Sequence, residues 1–282
     1  MSDITGTEIT NAWIKFFEIL NFYPLIAGKC FHFDNASFPG AFIMAAKFYS
    51  FKHDVDYVWR ASSLADKNLT DKEPLGDTFG LYKNNKNKWL INDENNGDVL
   101  LEKTQKYLEK SLERKVTVYS SDLGFDVSQD YNNQELLHYM ANVGQILSGL
   151  LTLANGGSFI TKQYTFFEPE TMWLILALKK VFDKFFISKP LSSRSTNSEI
   201  YLVGIGYKRD EKLIEQLYSI LKGDPRPTSR ATKQILAAMR IFEKQIIDIN
   251  EHFQLCKTNH LRDWRYKKEN VLKVWYSSNS LI

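Results

Sequence analysis

The sequence predicts a mixed α/β fold: mostly parallel strands alternating with helices, a last strand running antiparallel, and a helical extension at the C-terminus. Three observations carry this. Strand-like runs at 29–35, 56–63, 115–122 and 157–164 are separated by connections long enough for helices, the layout of parallel β/α units. KFFISKP (184–190) and EIYLVGIGYK (199–208) lie too close together for a helix to intervene, so they pair antiparallel. From residue 210 onward the pattern is helical and more charged.

The elements follow in order. The first 20 residues read as a helix, with Ile14, Phe17, Ile19 and Leu20 on one side and Lys15 and Glu18 on another. KCFHFDN (29–35) is a strand running into the small-residue turn SFPGAF (37–42) and a helix over 42–51, which is how nucleotide-type α/β units open. DYVWRASS (56–63) is the second strand. Residues 65–98 are polar and rich in Asn, Lys and Asp, and read as a long surface excursion. A charged helix at 100–114 leads into KVTVYSSD (115–122), whose alternation and β-branching suit a central strand. An amphipathic helix spans 132–154 and stops at Asn155-Gly156-Gly157. GSFITKQY (157–164) is the next strand, and 168–182 the next helix.

Composition narrows the function. The 282 residues are 44% hydrophobic and 24% charged, enough for a real core. A net charge of +3 excludes a polybasic nucleic-acid coat and leaves room for a local basic groove. Cys30 and Cys256 form neither a disulfide framework nor a zinc site, and no metal-ligand cluster stands out. No apolar run reaches the roughly 20 residues that span a bilayer, and the start lacks a signal-peptide layout. A cytoplasmic protein without membrane association is expected.

Ligands of open parallel sheets bind beyond the carboxyl ends of the strands. Residues 35–40, Asp122 and Lys162 stand at such ends, and Glu199 begins the antiparallel strand at the same rim. Four segments thus bring polar groups together. Singly each is weak: a lysine on an amphipathic helix, such as Lys15, is usually solvated, and an Asp after a strand often caps a helix.

The segments NAWIKFFEIL (11–20), SFPGAFI (37–43), WRASSL (59–64), LGDTFGLY (75–82), NNGDV (95–99), SSDLGFDVSQDYNNQE (120–135), GGSFITKQYT (156–165) and KPLSSRSTNSEIYLVG (189–204) carry a resemblance. In them the chain resembles the FtsJ-like ribose 2′-O-methyltransferases, in particular the cap methyltransferase-like proteins of large cytoplasmic DNA viruses. The resemblance implies a Rossmann-like methyltransferase sheet over residues 1–208, N-terminal helix included, with 209–282 as a helical extension packed on it. It implies S-adenosyl-L-methionine as cofactor and a catalytic tetrad of Lys15, Asp122, Lys162 and Glu199. A ribose hydroxyl is a very weak acid, so its attack on a sulfonium methyl needs a base. Lys162 is that base, provided burial and the neighbouring Lys15 depress its pKa, while Asp122 and Glu199 orient the two ammonium groups.

For the cofactor the resemblance implies Asn35, Ser37, Pro39, Gly40, Ala41, Ser63, Leu64, Asp98 and Asp122. The family turn carries an acid followed by Pro-Gly-Gly; here Ser37 replaces the acid and Ala41 the second glycine. Likewise Asp-Leu-Gly (122–124) replaces Asp-Gly-Gly. RNA contact is expected from Lys189, Ser193, Arg194 and Asn197, with Ser192 and Thr196 as further donors. The tail 260–276 interleaves bases with aromatics. It suits RNA by charge and stacking, or a helix packing Leu261, Trp264, Val271 and Trp275 on a partner.

The leading expectation is an S-adenosylmethionine-dependent RNA ribose 2′-O-methyltransferase working at the capped 5′ end of mRNA, in host cytoplasm or virion, with capping or transcription subunits as possible partners. Two alternatives stand: a catalytically impaired subunit of a viral transcription or capping complex, motivated by the two altered turns, and a small-molecule methyltransferase.

Overall fold

A computed structural model of the chain describes residues 9–65, 77–92, 95–125, 133–190, 192–193, 198–233, 235–237 and 239–240. Its six strands are β1 (Lys29–Asn35), β2 (Asp56–Ala61), β3 (Val116–Ser121), β4 (Leu153–Tyr164), β5 (Phe182–Ser188) and β6 (Glu199–Tyr207). They form one sheet in the order β2-β1-β3-β4-β6-β5. The pairs β1/β2, β1/β3 and β3/β4 are parallel, and β6 runs antiparallel to both of its neighbours. The hairpin read from the sequence is therefore present, with its second strand inserted between β4 and β5.

The helices are α1 (Asn11–Phe22), α2 (Ala41–Lys52), the short α3 (Leu81–Asn84), α4 (Glu102–Ser111), α5 (Gln134–Thr152), α6 (Pro169–Lys180) and α7 (Glu211–Leu221). The two-residue period of the strands sorts the core into two layers. Cys30, Val118, Ile160, Tyr201 and Val203 face α1 and α2. Phe31, Phe33, Tyr119, Phe159 and Leu202 face the other way, into the layer built by α4, α5, α6 and α7. On the first side Phe16 is fully buried and stacks on Phe42 with ring centroids 4.1 Å apart. Removing such a side chain from water stabilises the fold by about 1.5–3 kcal/mol.

Three expectations change. Both sides of α1 are buried: Lys15 and Glu18 are only 9% and 2% exposed, because Glu199 and Ser192 lie against that face. The helix expected to stop at Asn155-Gly156-Gly157 ends at Thr152, and these three residues lie inside β4. Leu153 is drawn into the core beside Val116, and Gly156, at φ +82°, takes up the register shift that follows. The stretch 65–98 is not all surface either. Trp89 and Leu90 are buried, and Trp89 bridges to Ala61 and stacks on Phe38 at 4.6 Å.

The helical C-terminal part begins with α7, capped by Asp210, whose carboxylate accepts from the Leu213 N–H at 3.1 Å. Its Leu213, Ile214, Leu217 and Ile220 join the α5 side of the core. The tail 260–276 lies outside the described residues. Among those residues, no helix is long and apolar enough to cross a membrane.

Candidate active site

Strand parity alone brings the first groups together. Ile160 faces α1 and α2, so Lys162 and Tyr164, two and four residues on, face the same way. The antiparallel register sets Lys162 opposite Tyr201 and Tyr164 opposite Glu199. Asp122 follows the last residue of β3, and α1 lowers Lys15 onto this end of the sheet.

Two ion pairs result. Lys15 Nζ lies 2.6 Å from Glu199 Oε1, and Lys162 Nζ lies 3.2 Å from Asp122 Oδ1. Lys162 also donates to the Asp122 carbonyl oxygen at 2.8 Å, and the Tyr201 hydroxyl donates to Asp122 Oδ1 at 2.9 Å. Ser193 Oγ donates to Glu199 Oε1 at 3.1 Å, and Lys189 Nζ to the Glu199 carbonyl at 2.8 Å. All four residues of the expected tetrad are therefore in one cluster.

The electrostatics run opposite to expectation at Lys162. Burial works against its ammonium, but Asp122, Tyr164 and Glu199 together outweigh burial and hold its pKa above the usual lysine value. Lys15 instead pairs with Glu199 at contact distance. The lysine with a depressed pKa is Lys189, pushed down to about 8 by burial, with Lys15 adding to the effect and Glu199 opposing it.

Lys189 and Ser193 are buried and turned inward onto Glu199, and Ser192 donates from both N and Oγ to Glu18. Three of the expected RNA-contact residues thus brace the site from within. Arg194, Thr196 and Asn197 lie outside the described residues.

The start of α5 holds groups that sequence reasoning passed over. Glu135 accepts from Thr165 Oγ1 at 2.6 Å and from the N–H groups of Phe167 and Glu168 at 3.0 and 2.9 Å. Gln134 Oε1 accepts from Ser198 Oγ at 2.7 Å. His138 donates through Nδ1 to the Gln134 carbonyl, accepts from the Phe125 N–H at 3.3 Å, and is flanked by the rings of Phe125 and Tyr164. These three side chains tie together the segments that carry Asp122, Lys162 and Glu199. For Gln134 and Glu135 the signal was the YNNQE run, legible as a motif but not as a set of clamps; His138 lies outside it.

The family model for FtsJ-like methyltransferases matches residues 9–207. This chain belongs to the FtsJ-like methyltransferase family. A probable methyltransferase of African swine fever virus is 39% identical over 212 residues, covering 70% of this chain and 49% of its own length. An uncharacterised protein of Acanthamoeba polyphaga mimivirus is 30% identical over 309 residues, 98% of this chain and 39% of its own. The cap-specific mRNA (nucleoside-2′-O-)-methyltransferase 2 of Mus musculus is 28% identical over 282 residues, 93% of this chain and 34% of its own. The chain spans about half the length, or less, of these relatives.

The residues that the family resemblance assigns to a cofactor also converge. The Ser37 N–H donates to the Ser62 carbonyl at 3.0 Å, and the Phe38 N–H to Ser63 Oγ at 3.3 Å. Gly97 packs so closely on the Ser63 carbonyl that a Cβ would clash there, which brings Asp98 beside Ser63 and Leu64. Asn35 is buried and engaged with Ala36 N and the Tyr119 hydroxyl. Gly40, with φ +101°, follows Pro39 and carries the left-handed turn, while Ala41 is already the first helical residue of α2. The alanine that replaces the family's second glycine therefore sits on ordinary helical backbone. Beneath the turn Asp34 accepts from Ser120 Oγ, and burial pushes its carboxyl up to about 7.

In the second altered turn the retained glycine is the one that close packing requires. A Cβ on Gly124 would stand 2.8 Å from Lys162 Nζ and 2.7 Å from the Tyr164 hydroxyl.

Proposed function

We propose that this chain is an S-adenosylmethionine-dependent RNA ribose 2′-O-methyltransferase acting at the capped 5′ end of mRNA. The observation that carries the reading is the pairing of Lys15 with Glu199 and of Lys162 with Asp122 at one sheet edge, beside the 36–41 turn. The catalytic unit is residues 1–208, with 209–282 as its extension.

S-adenosylmethionine, when bound, supplies a sulfonium methyl that an oxygen nucleophile can attack. The residues fit such a ligand. No side chain caps the N-terminus of α2, so its first amides suit the cofactor's carboxylate, and Ser63 and Asp98 offer polar contacts to its ribose and base. Lys162, in its neutral form, would accept the proton of the 2′-hydroxyl. Asp122 and Tyr201 fix the direction of the Lys162 ammonium, and Glu199 holds Lys15 where its charge stabilises the developing alkoxide. Because its neighbours raise the Lys162 pKa, only the small neutral fraction acts as base. Turnover therefore rises about tenfold per pH unit below that pKa.

Against the reading of a catalytically impaired subunit stand the helical backbone at Ala41 and the retained Gly124. Cytoplasm of an infected cell is the proposed location, as expected for a relative of a cytoplasmic virus protein. The test is transfer of labelled methyl to a short capped RNA by wild type and Lys162→Ala, each with thermal shift on adding cofactor. Transfer to a 2′ oxygen by wild type alone is expected, with both proteins stabilised by cofactor. Near-wild-type turnover in Lys162→Ala removes Lys162 from the base role. No transfer and no thermal shift in wild type overturns the enzyme reading.

A further inference from the structure

A cleft of about 360 Å³ opens on the flank of the edge strand β2, between β2, α2 and α3. It is separate from the site above. The 36–41 turn and residues 62–64 lie at the C-terminal ends of β1 and β2, whereas Ser50, Phe51 and Val55 line the cleft where α2 returns to begin β2.

Its charge is one-sided. Among the described residues its wall holds Lys47 and Lys88 and no carboxylate. Neither lysine forms an ion pair among the described residues; Lys88 Nζ rests 4.8 Å over the ring of Trp59 instead. Burial, then Arg60 and Lys47, hold the Lys88 pKa below the usual lysine value, so an anion here relieves crowding between cations. Ser50 is 1% exposed, and its hydroxyl has no hydrogen-bond partner among the described residues. A buried polar group left unpaired is costly, and a ligand atom would supply the missing partner. Phe51 presents an apolar ring on the same cleft while 64% exposed.

We propose that this cleft binds a nucleotide, with its phosphate between Lys47 and Lys88, its base against Phe51, and Ser50 Oγ as the inner hydrogen-bond partner. Two ammonium groups and an aromatic wall suit an anion with a flat apolar part. The volume exceeds what bare phosphate fills, and two unpaired lysines repel a cationic base such as N7-methylguanine. The nucleotide is a unit of an RNA strand remote from the acceptor ribose, or a free mononucleotide. The inference goes beyond the methyl-transfer reading and stands on different residues.

The experiment titrates the full chain with a labelled, uncapped 5′-phosphorylated hexaribonucleotide, with adenosine monophosphate and with inorganic phosphate. Wild type is compared with the double variant Lys47→Ala/Lys88→Ala and with Ser50→Ala. The double variant is expected to bind the hexamer at least tenfold more weakly, with a salt slope reduced by about 1.4 for two lost contacts to a single strand. Ser50→Ala is expected to weaken binding about threefold with no fall in melting temperature, since it removes an unpaired hydroxyl. Loss of hexamer binding assigns the site to RNA; the same loss seen with the mononucleotide alone assigns it to free nucleotide. Unchanged affinities in the double variant overturn the proposal, as does phosphate binding as tightly as the mononucleotide. Methyl transfer measured on the same proteins separates the two readings. A wild type that transfers no methyl yet loses hexamer binding in the double variant refutes only the enzyme, and active wild type with unchanged variant binding refutes only this cleft.

Discussion

Gly124→Ala is the substitution that most directly probes the geometry around Lys162. The new methyl carbon would lie 2.8 Å from Lys162 Nζ, 3.0 Å from its Cε and 2.7 Å from the Tyr164 hydroxyl, against the 3.4 Å at which ordinary contacts begin. Relief therefore requires the lysine tip to retreat by roughly half an ångström or more. Both obstructing groups are the far ends of flexible side chains, and Gly124 needs no left-handed backbone, so folding is expected to lose about 1 kcal/mol or less. The chemistry is far less forgiving. Displacing the base by a large fraction of an ångström is expected to slow methyl transfer about 10- to 100-fold, about 1.4–2.7 kcal/mol in barrier. The assay pairs single-turnover transfer from labelled cofactor with a urea melt of the same preparation. A slow enzyme with a normal melt is the expected pattern. Wild-type turnover would refute the placement of Lys162 Nζ at the reacting oxygen, and a variant that fails to fold would refute the estimate of how easily the site yields.

Glu135→Ala is expected to destabilise the fold by about 3 kcal/mol, and Glu135→Gln by about 1–2, because three donors lose a carboxylate partner. Urea midpoints check this, and equal midpoints for all three proteins would contradict it. Asp34 gives a pH signature. Burial raises its folded pKa from the ordinary 3.8 to about 7, so its contribution is full below 3.8 and is lost as pH rises through about 7. Asp34→Asn should therefore gain stability relative to wild type at about pH 8 and not at about pH 4. His32 acts in the opposite sense: burial lowers its pKa from 6.5 to about 3, so its contribution is present above pH 6.5 and fades as pH falls toward 3. His32→Gln should accordingly narrow the stability difference between about pH 7 and pH 4 in thermal melts.

What the sequence disclosed was local. Strand runs, the hairpin without room for a helix and the order of the four polar groups at the rim were all readable from period and spacing. What it concealed depends on contacts between distant segments. Lys15 and Glu18 looked like the wet side of a helix because nothing nearby in sequence covers them; the cover comes from Ser192 and Glu199. Trp89 sits among Asn and Lys residues, and only its aromatic neighbours Phe38, Trp59 and Tyr82 make it core. Asn155-Gly156-Gly157 is a fair helix stop by composition, yet Leu153 needs burial and pulls the strand start ahead of it. The pKa of Lys162 runs opposite to expectation because Asp122, with Tyr164 and Glu199, outweighs burial, a balance set by distances that spacing does not give. Gln134 and Glu135 close a quoted motif and His138 lies just beyond it, but their role is to grip three other segments.

The clasp between α1 and the segment before β6 also sets an order of events. Glu18 and Ser192 are 174 positions apart in the chain, and the Lys15–Glu199 pair spans a comparable loop. Contacts of such separation form late, since the loop must close before they reward it. A nascent chain lacking β6 can already lay down β1 to β4, but it holds Lys15 and Lys162 without Glu199. A chain that ends before Glu199 thus keeps the Lys162–Asp122 pair and five of the six strands, but leaves Lys15 without its carboxylate.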